Sequence, residues 1–85
     1  MNYRVLWRIR AEAQLASLWL RAADKDALTD CSEAIDRILA RDPHSQGEGR
    51  QGNACLWFYR PLCVLCLVDD PAKTVHVAAI KWVGW

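Results

Sequence analysis

Four residues of this 85-residue chain carry side chains suited to work at a phosphate: Arg50, Arg60, Lys81 and His76. Arginine and lysine neutralise phosphate charge, and histidine titrates near neutrality, so it is the credible general base. Arg50 lies in a polar stretch with Gly47, Gly49 and Gly52, where an exposed cation meets a phosphate at little cost. Arg60 stands between Tyr59 and Pro61. Period-two alternation places Lys81 on one strand row with Val77, Ala79 and Val83, and His76 on the other with Ala78, Ile80 and Trp82. Each also has an ordinary reading: a solvated loop arginine, a turn arginine, a lysine in open solvent, a structural histidine. His44 follows Pro43 and reads as a loop residue. Glu12 and Glu48 are alternative bases, but Glu12 is explained by the preference for carboxylates in a first helical turn.

Cys31, Cys55, Cys63 and Cys66 raise the question of metal or redox chemistry. Cys63-x-x-Cys66 lies within Leu62–Val68, which patterns as a strand. Residues three apart on a strand point to opposite faces, so these thiols cannot converge on one ion. A redox pair of this spacing normally opens a helix. Reduced, structural cysteines are therefore expected, with no metal and no cofactor.

The elements that position these residues follow from periodicity. Tyr3–Ile9 alternates Tyr3, Val5, Trp7 and Ile9 against Arg4, Leu6, Arg8 and Arg10, the pattern of a half-buried strand. Ala11–Ala23 has the stripe Ala11, Leu15, Leu18, Ala22 of an amphipathic helix, with Trp19 beside it. A second helix, capped by Asp24 or Asp26 and striped by Leu28, Cys31, Ile35, Ile38 and Leu39, runs to about Arg41. Asp42-Pro43 stops it, because proline disfavours helix in the residue before it. A loop over His44–Asn53 precedes strands at Ala54–Tyr59, Leu62–Asp69 and Thr74–Val83, the last two joined by a turn at Asp69–Lys73. The expectation is one α+β domain over residues 1–85, ordered β-α-α-β-β-β, with a helical pair on one sheet face and the first strand beside a C-terminal one. The other face is left open to hold a site.

Composition narrows the function classes. Hydrophobic residues make up 53%, enough for a core. The net charge of +1 provides no long-range basic field, so any nucleic-acid contact must be local. Five tryptophans are more than one small core hides, and Trp82 and Trp85 in particular call for a covering partner by strand addition or helix docking. Trp57, Phe58 and Tyr59 read as core rather than as stacking platforms. No run spans a bilayer and no signal-peptide pattern opens the chain, so a cytoplasmic, membrane-free protein is expected.

The order of these elements, with several local strings, resembles the RelE/ParE toxin superfamily, to which plasmid stabilisation proteins belong. The strings are Tyr3-x-Val5-x-Trp7, Ala11-Glu12-x-x-Leu15, Ile35-Asp36-x-x-Leu39, Asp42-Pro43 followed by Gly47 and Arg50, Pro61-Leu62-x-Val64, and Val75-x-Val77. The resemblance covers nearly the whole chain. It implies the toxin of a type II toxin–antitoxin module, neutralised by a cognate antitoxin. RelE-like members cut mRNA on the ribosome without a metal, the 2′-hydroxyl attacking the adjacent phosphate; ParE-like members poison DNA gyrase. The cleavage needs a base, an acid and cations, which the resemblance distributes over Arg50, Arg60, Lys81 and His76. Where nuclease members carry arginines in their last two strands, this chain has Cys63 and, near Val83, only Lys81 two residues earlier; their C-terminal tyrosine or histidine is missing. The alternative is a catalytically degenerate, non-enzymatic binding module of the same fold.

Overall fold

A computed structural model describes residues 2–45, 48–49 and 53–85, with the backbone alone for 45, 48 and 49. Its elements are β1 (Arg4–Trp7), α1 (Ile9–Arg21), α2 (Lys25–Arg41), a 3-10 turn (Pro43–Ser45), β2 (Glu48–Gly49), β3 (Ala54–Tyr59), β4 (Leu62–Asp69) and β5 (Thr74–Trp82). Sheet order is β1-β5-β4-β3-β2. β1 runs parallel to β5, and every other pairing is antiparallel. The expected β-α-α-β-β-β order holds, with β1 beside the last strand.

The first strand is shorter than its alternation suggests. It ends at Trp7, Arg8 is the extended N-cap of α1, and Ile9 opens the helix with 86% of its surface exposed. Pairing with β5 ends at Trp7↔Val77, after which the Arg8 N–H donates to the Val77 carbonyl (3.0 Å). Beyond that point the helix-forming run from Arg10 to Leu15 decides the conformation. At the other end, β5 stops at Trp82, one residue early. Glu48–Gly49, inside the expected loop, pairs with Cys55 and Leu56 and adds a two-residue edge strand.

α2 begins where Asp24 accepts the Ala27 N–H (3.0 Å), which selects Asp24 over Asp26 as the cap. It ends at Arg41, with Asp42 as the C-cap before Pro43. Its stripe of Leu28, Cys31, Ile35 and Leu39 is buried against Leu62, Val64, Cys66 and Val68 of β4 and against Val75, Val77 and Ile80 of β5. β1 is fastened to the same helix by the Tyr3 N–H on the Ala40 carbonyl (2.6 Å) and the Trp7 indole N–H on Asp36 (2.5 Å).

A β-bulge corrects the expected faces of β5. Leu65 pairs with Ala79 but Cys66 pairs with Val77, so Ala78 is an extra residue and the alternation changes phase there. Val75 and Val77 lie on the helix side before the bulge, and Ile80 and Trp82 after it. His76 therefore leaves the row of Ile80 and Trp82, and Lys81 leaves the row of Val77. His76 and Lys81 share the open face, opposite Leu67 and Cys63.

Candidate functional site

The open sheet face is built from residues that alternate with the buried ones. Across the strands run Leu6–His76–Leu67–Ala54, then Ala79–Leu65–Leu56, then Lys81–Cys63–Phe58. The surface is mainly apolar, with an imidazole at one end and an ammonium at the other. Phe58 is 60% exposed here, contrary to its expected place in the core; Trp57 is buried and Tyr59 half-buried on the helix side, as expected. Phe58 pairs with Cys63, in phase with the open row, whereas Trp57 pairs with Val64 in the core row.

The three expected site residues that the structure describes, Arg60, His76 and Lys81, do not converge. Arg50 lies outside the described residues. His76, half-buried, and Lys81, exposed, are five residues apart on one strand, roughly 15 Å at the usual rise. They cannot act on the same atom of a small group. Arg60, in the turn between β3 and β4, is exposed and donates from Nη1 to the main-chain oxygens of Gly84 and Trp85 (both 3.2 Å). With the Val83 N–H on the Pro61 carbonyl (2.8 Å), it ties the segment after β5 to that turn. The Arg60–Pro61 peptide, between Tyr59 of β3 and Leu62 of β4, is cis.

The cysteines are structural in setting. Cys66 is buried in the core row and Cys63 sits on the open row, so the two do face apart. Burial, then the neighbouring Cys55, pushes the Cys66 thiol up to about 12. Burial also raises Cys31 and Cys55. A thiol raised in this way is protonated at neutral pH, the form that is not nucleophilic.

A polar cluster stands at the other end of the sheet. Tyr3 just before β1, His44 in the 3-10 turn and Asp70 between β4 and β5 meet at one carboxylate oxygen. The Tyr3 hydroxyl donates to Asp70 Oδ1 (2.7 Å), and His44 Nε2 lies 2.7 Å from the same atom. A carboxylate only accepts, so Nε2 carries the proton. The His44 hydrogen bond first, then that from Tyr3, holds the Asp70 carboxyl below its ordinary range. Conversely, the hydrogen bond to Asp70 raises Tyr3. The Lys73 ammonium caps the Tyr3 ring at 5.0 Å. The three residues lie 26 to 67 positions apart in the chain, so no local motif signals the cluster, and reading His44 as a plain loop residue missed it.

Apolar surface gathers on the helix side. A groove of about 540 Å³ between α1 and α2 is lined by Trp7, Leu15, Trp19, Leu20 and Leu28 among others. A second, of about 410 Å³, lies between the α1–α2 turn and Trp82 and Trp85, which stack edge to face at 6.1 Å. These tryptophans are 42% and 66% exposed, as the sequence suggested. No described helix is long and apolar enough to cross a membrane.

The sequence matches no family profile and no curated protein. Solved structures do match. The RelBE2 toxin–antitoxin complex of Mycobacterium tuberculosis aligns with a TM-score of 0.77 at 19% identity, covering 96% of this chain and 92% of that one. The chromosomal ParDE toxin–antitoxin system of P. aeruginosa aligns at 0.75 and 15%, covering 96% and 97%. The isolated E. coli RelE toxin aligns at 0.67 and 13%, covering 98% and 86%.

Proposed function

Starting from a chain with the RelE/ParE toxin fold, we propose that it is the toxin of a type II toxin–antitoxin module, held inactive by a cognate antitoxin. The observation that carries this is the end-to-end match, over 96% of the chain, to the RelBE2 complex. The exposed Trp82 and Trp85 and the open apolar face supply surfaces that such a partner would cover.

Two modes of action belong to the fold: cleavage of mRNA on the ribosome and poisoning of DNA gyrase. His76 and Lys81 lie too far apart to share one phosphate, and Arg60 is engaged with main-chain oxygens. This arrangement supports inhibition by binding a target over strand cleavage. A second reading, a degenerate binding module without toxicity, is favoured by Cys63 and Val83 standing where nuclease members carry arginines.

Induction of the chain alone in bacteria should arrest growth. Plasmid supercoiling by purified gyrase should fall as the protein is added, while ribosome-bound mRNA stays intact. Unimpaired growth establishes the degenerate module instead. Cut mRNA, lost in Lys81→Ala or Arg60→Ala, establishes the nuclease.

A further inference from the structure

β5 is longer than the strand beside it. β1 pairs with it only as far as Val77, and among the described residues no strand pairs with the β1-side edge of Ala78–Trp82. One observation fixes which backbone groups point there: the Ile80 N–H donates not to a strand but to the Gln14 side-chain oxygen (2.7 Å). Hydrogen-bonding direction alternates along an antiparallel strand, so Ile80 and Trp82 both aim N–H and C=O outward. The Val83 N–H, on the Pro61 carbonyl, has the opposite phase and points inward as this requires.

The space beside this edge is a groove of about 450 Å³ between α1 and β5. Its charged lining residues are Arg10, Arg21 and Lys81, and no carboxylate lines it. Among the described residues Arg21 bonds to Ser17 alone, and neither Arg10 nor Lys81 forms an ion pair. An uncovered strand edge recruits backbone from another chain, and three cations without an ion-pair partner among the described residues select its charge.

We propose that this edge receives an extended acidic segment of a partner protein, which adds as a short strand beside Ile80–Trp82 with its carboxylates on Arg10, Arg21 and Lys81. The Gln14 carboxamide holds the place of the missing strand's carbonyl and is displaced when the segment binds. Single-stranded nucleic acid would satisfy the cations but lacks the regular alternation of N–H donors and C=O acceptors that matches a strand edge. The assignment deepens the antitoxin reading and rests on it for the physiological partner, but the test below does not.

The test uses the whole chain and three dye-labelled probes: an eight-residue peptide repeating Val-Glu-Glu-Val, which carries carboxylates on both strand faces, the same peptide with lysine for glutamate, and a uridine octanucleotide. Binding is read by fluorescence anisotropy and by amide hydrogen exchange at Ile80 and Trp82. The acidic peptide alone should bind and slow exchange at both amides at least tenfold. Arg10→Glu with Arg21→Glu should weaken it tenfold or more, with circular dichroism unchanged. Gln14→Ala should tighten it several-fold, because the Ile80 N–H then has no competing acceptor. Absence of binding, binding without protection of the two amides, or equal binding of the oligonucleotide overturns the proposal. None of these outcomes bears on growth arrest, so failure here and failure of the toxin reading are separable.

Discussion

At the scale of single residues, the Asp70 carboxylate is the most informative group. It joins β1, the 3-10 turn after α2 and the β4–β5 turn through one oxygen atom. A carboxyl whose folded pKa lies below its unfolded value stabilises the fold above the ordinary carboxylate range, and that contribution disappears as pH falls through the lowered value. Tyr3 acts at the other limit: its raised pKa contributes below the ordinary tyrosine value and is lost as pH rises through the folded one. Asp70→Asn should therefore flatten the acid limb of the stability–pH curve and trim the alkaline limb. Urea midpoints across pH 3–11 check this, and a variant whose curve parallels the parent at both ends contradicts it.

At the scale of elements, caps and bulges decide more than propensity does. The α2 N-terminus depends on Asp24 accepting the Ala27 N–H, and replacing such a cap with alanine costs about 1 kcal/mol. Asp24→Ala should lower the unfolding free energy by that amount, while Asp26→Ala, at the second residue of the helix, should change it by much less. Urea titrations of both variants distinguish the two aspartates. In β5 the bulge at Ala78 swaps the faces of everything downstream. A strict alternation read from Thr74 to Val83 therefore misplaces His76 relative to Trp82, even though it locates the strand itself to within one residue.

At the scale of the whole molecule, one helical layer covers one face of a mixed sheet. Ile35 is fully buried among the core residues of α2, β4 and β5. Truncating such a side chain removes its burial and leaves a cavity, together about 2–5 kcal/mol. Ile35→Ala should reduce stability by that amount in urea unfolding, a large fraction of what a domain this small possesses. The same one-sided layering leaves the opposite sheet face, the groove between the helices and the distal edge of β5 available to other molecules. The surfaces offered to partners thus follow from the architecture.

The amino-acid order by itself determined the element sequence, the helix stripes, the α2 stop at Asp42-Pro43 and the hairpin strands, because each is written in local periodicity or in proline chemistry. It also determined that Cys63 and Cys66 face apart, since β4 keeps its period of two throughout. Tertiary structure decided the rest. The bulge is set by how β5 pairs with β4, the Tyr3–His44–Asp70 cluster by segments that meet only after folding, and the Gln14 cap on Ile80 by α1 crossing beyond the end of β1. The distances among His76, Lys81 and Arg60 belong to the same class. Which side chains lie in reach of one another depends on strand register and helix placement, and those are fixed by burial across the whole core, not by neighbours in the chain.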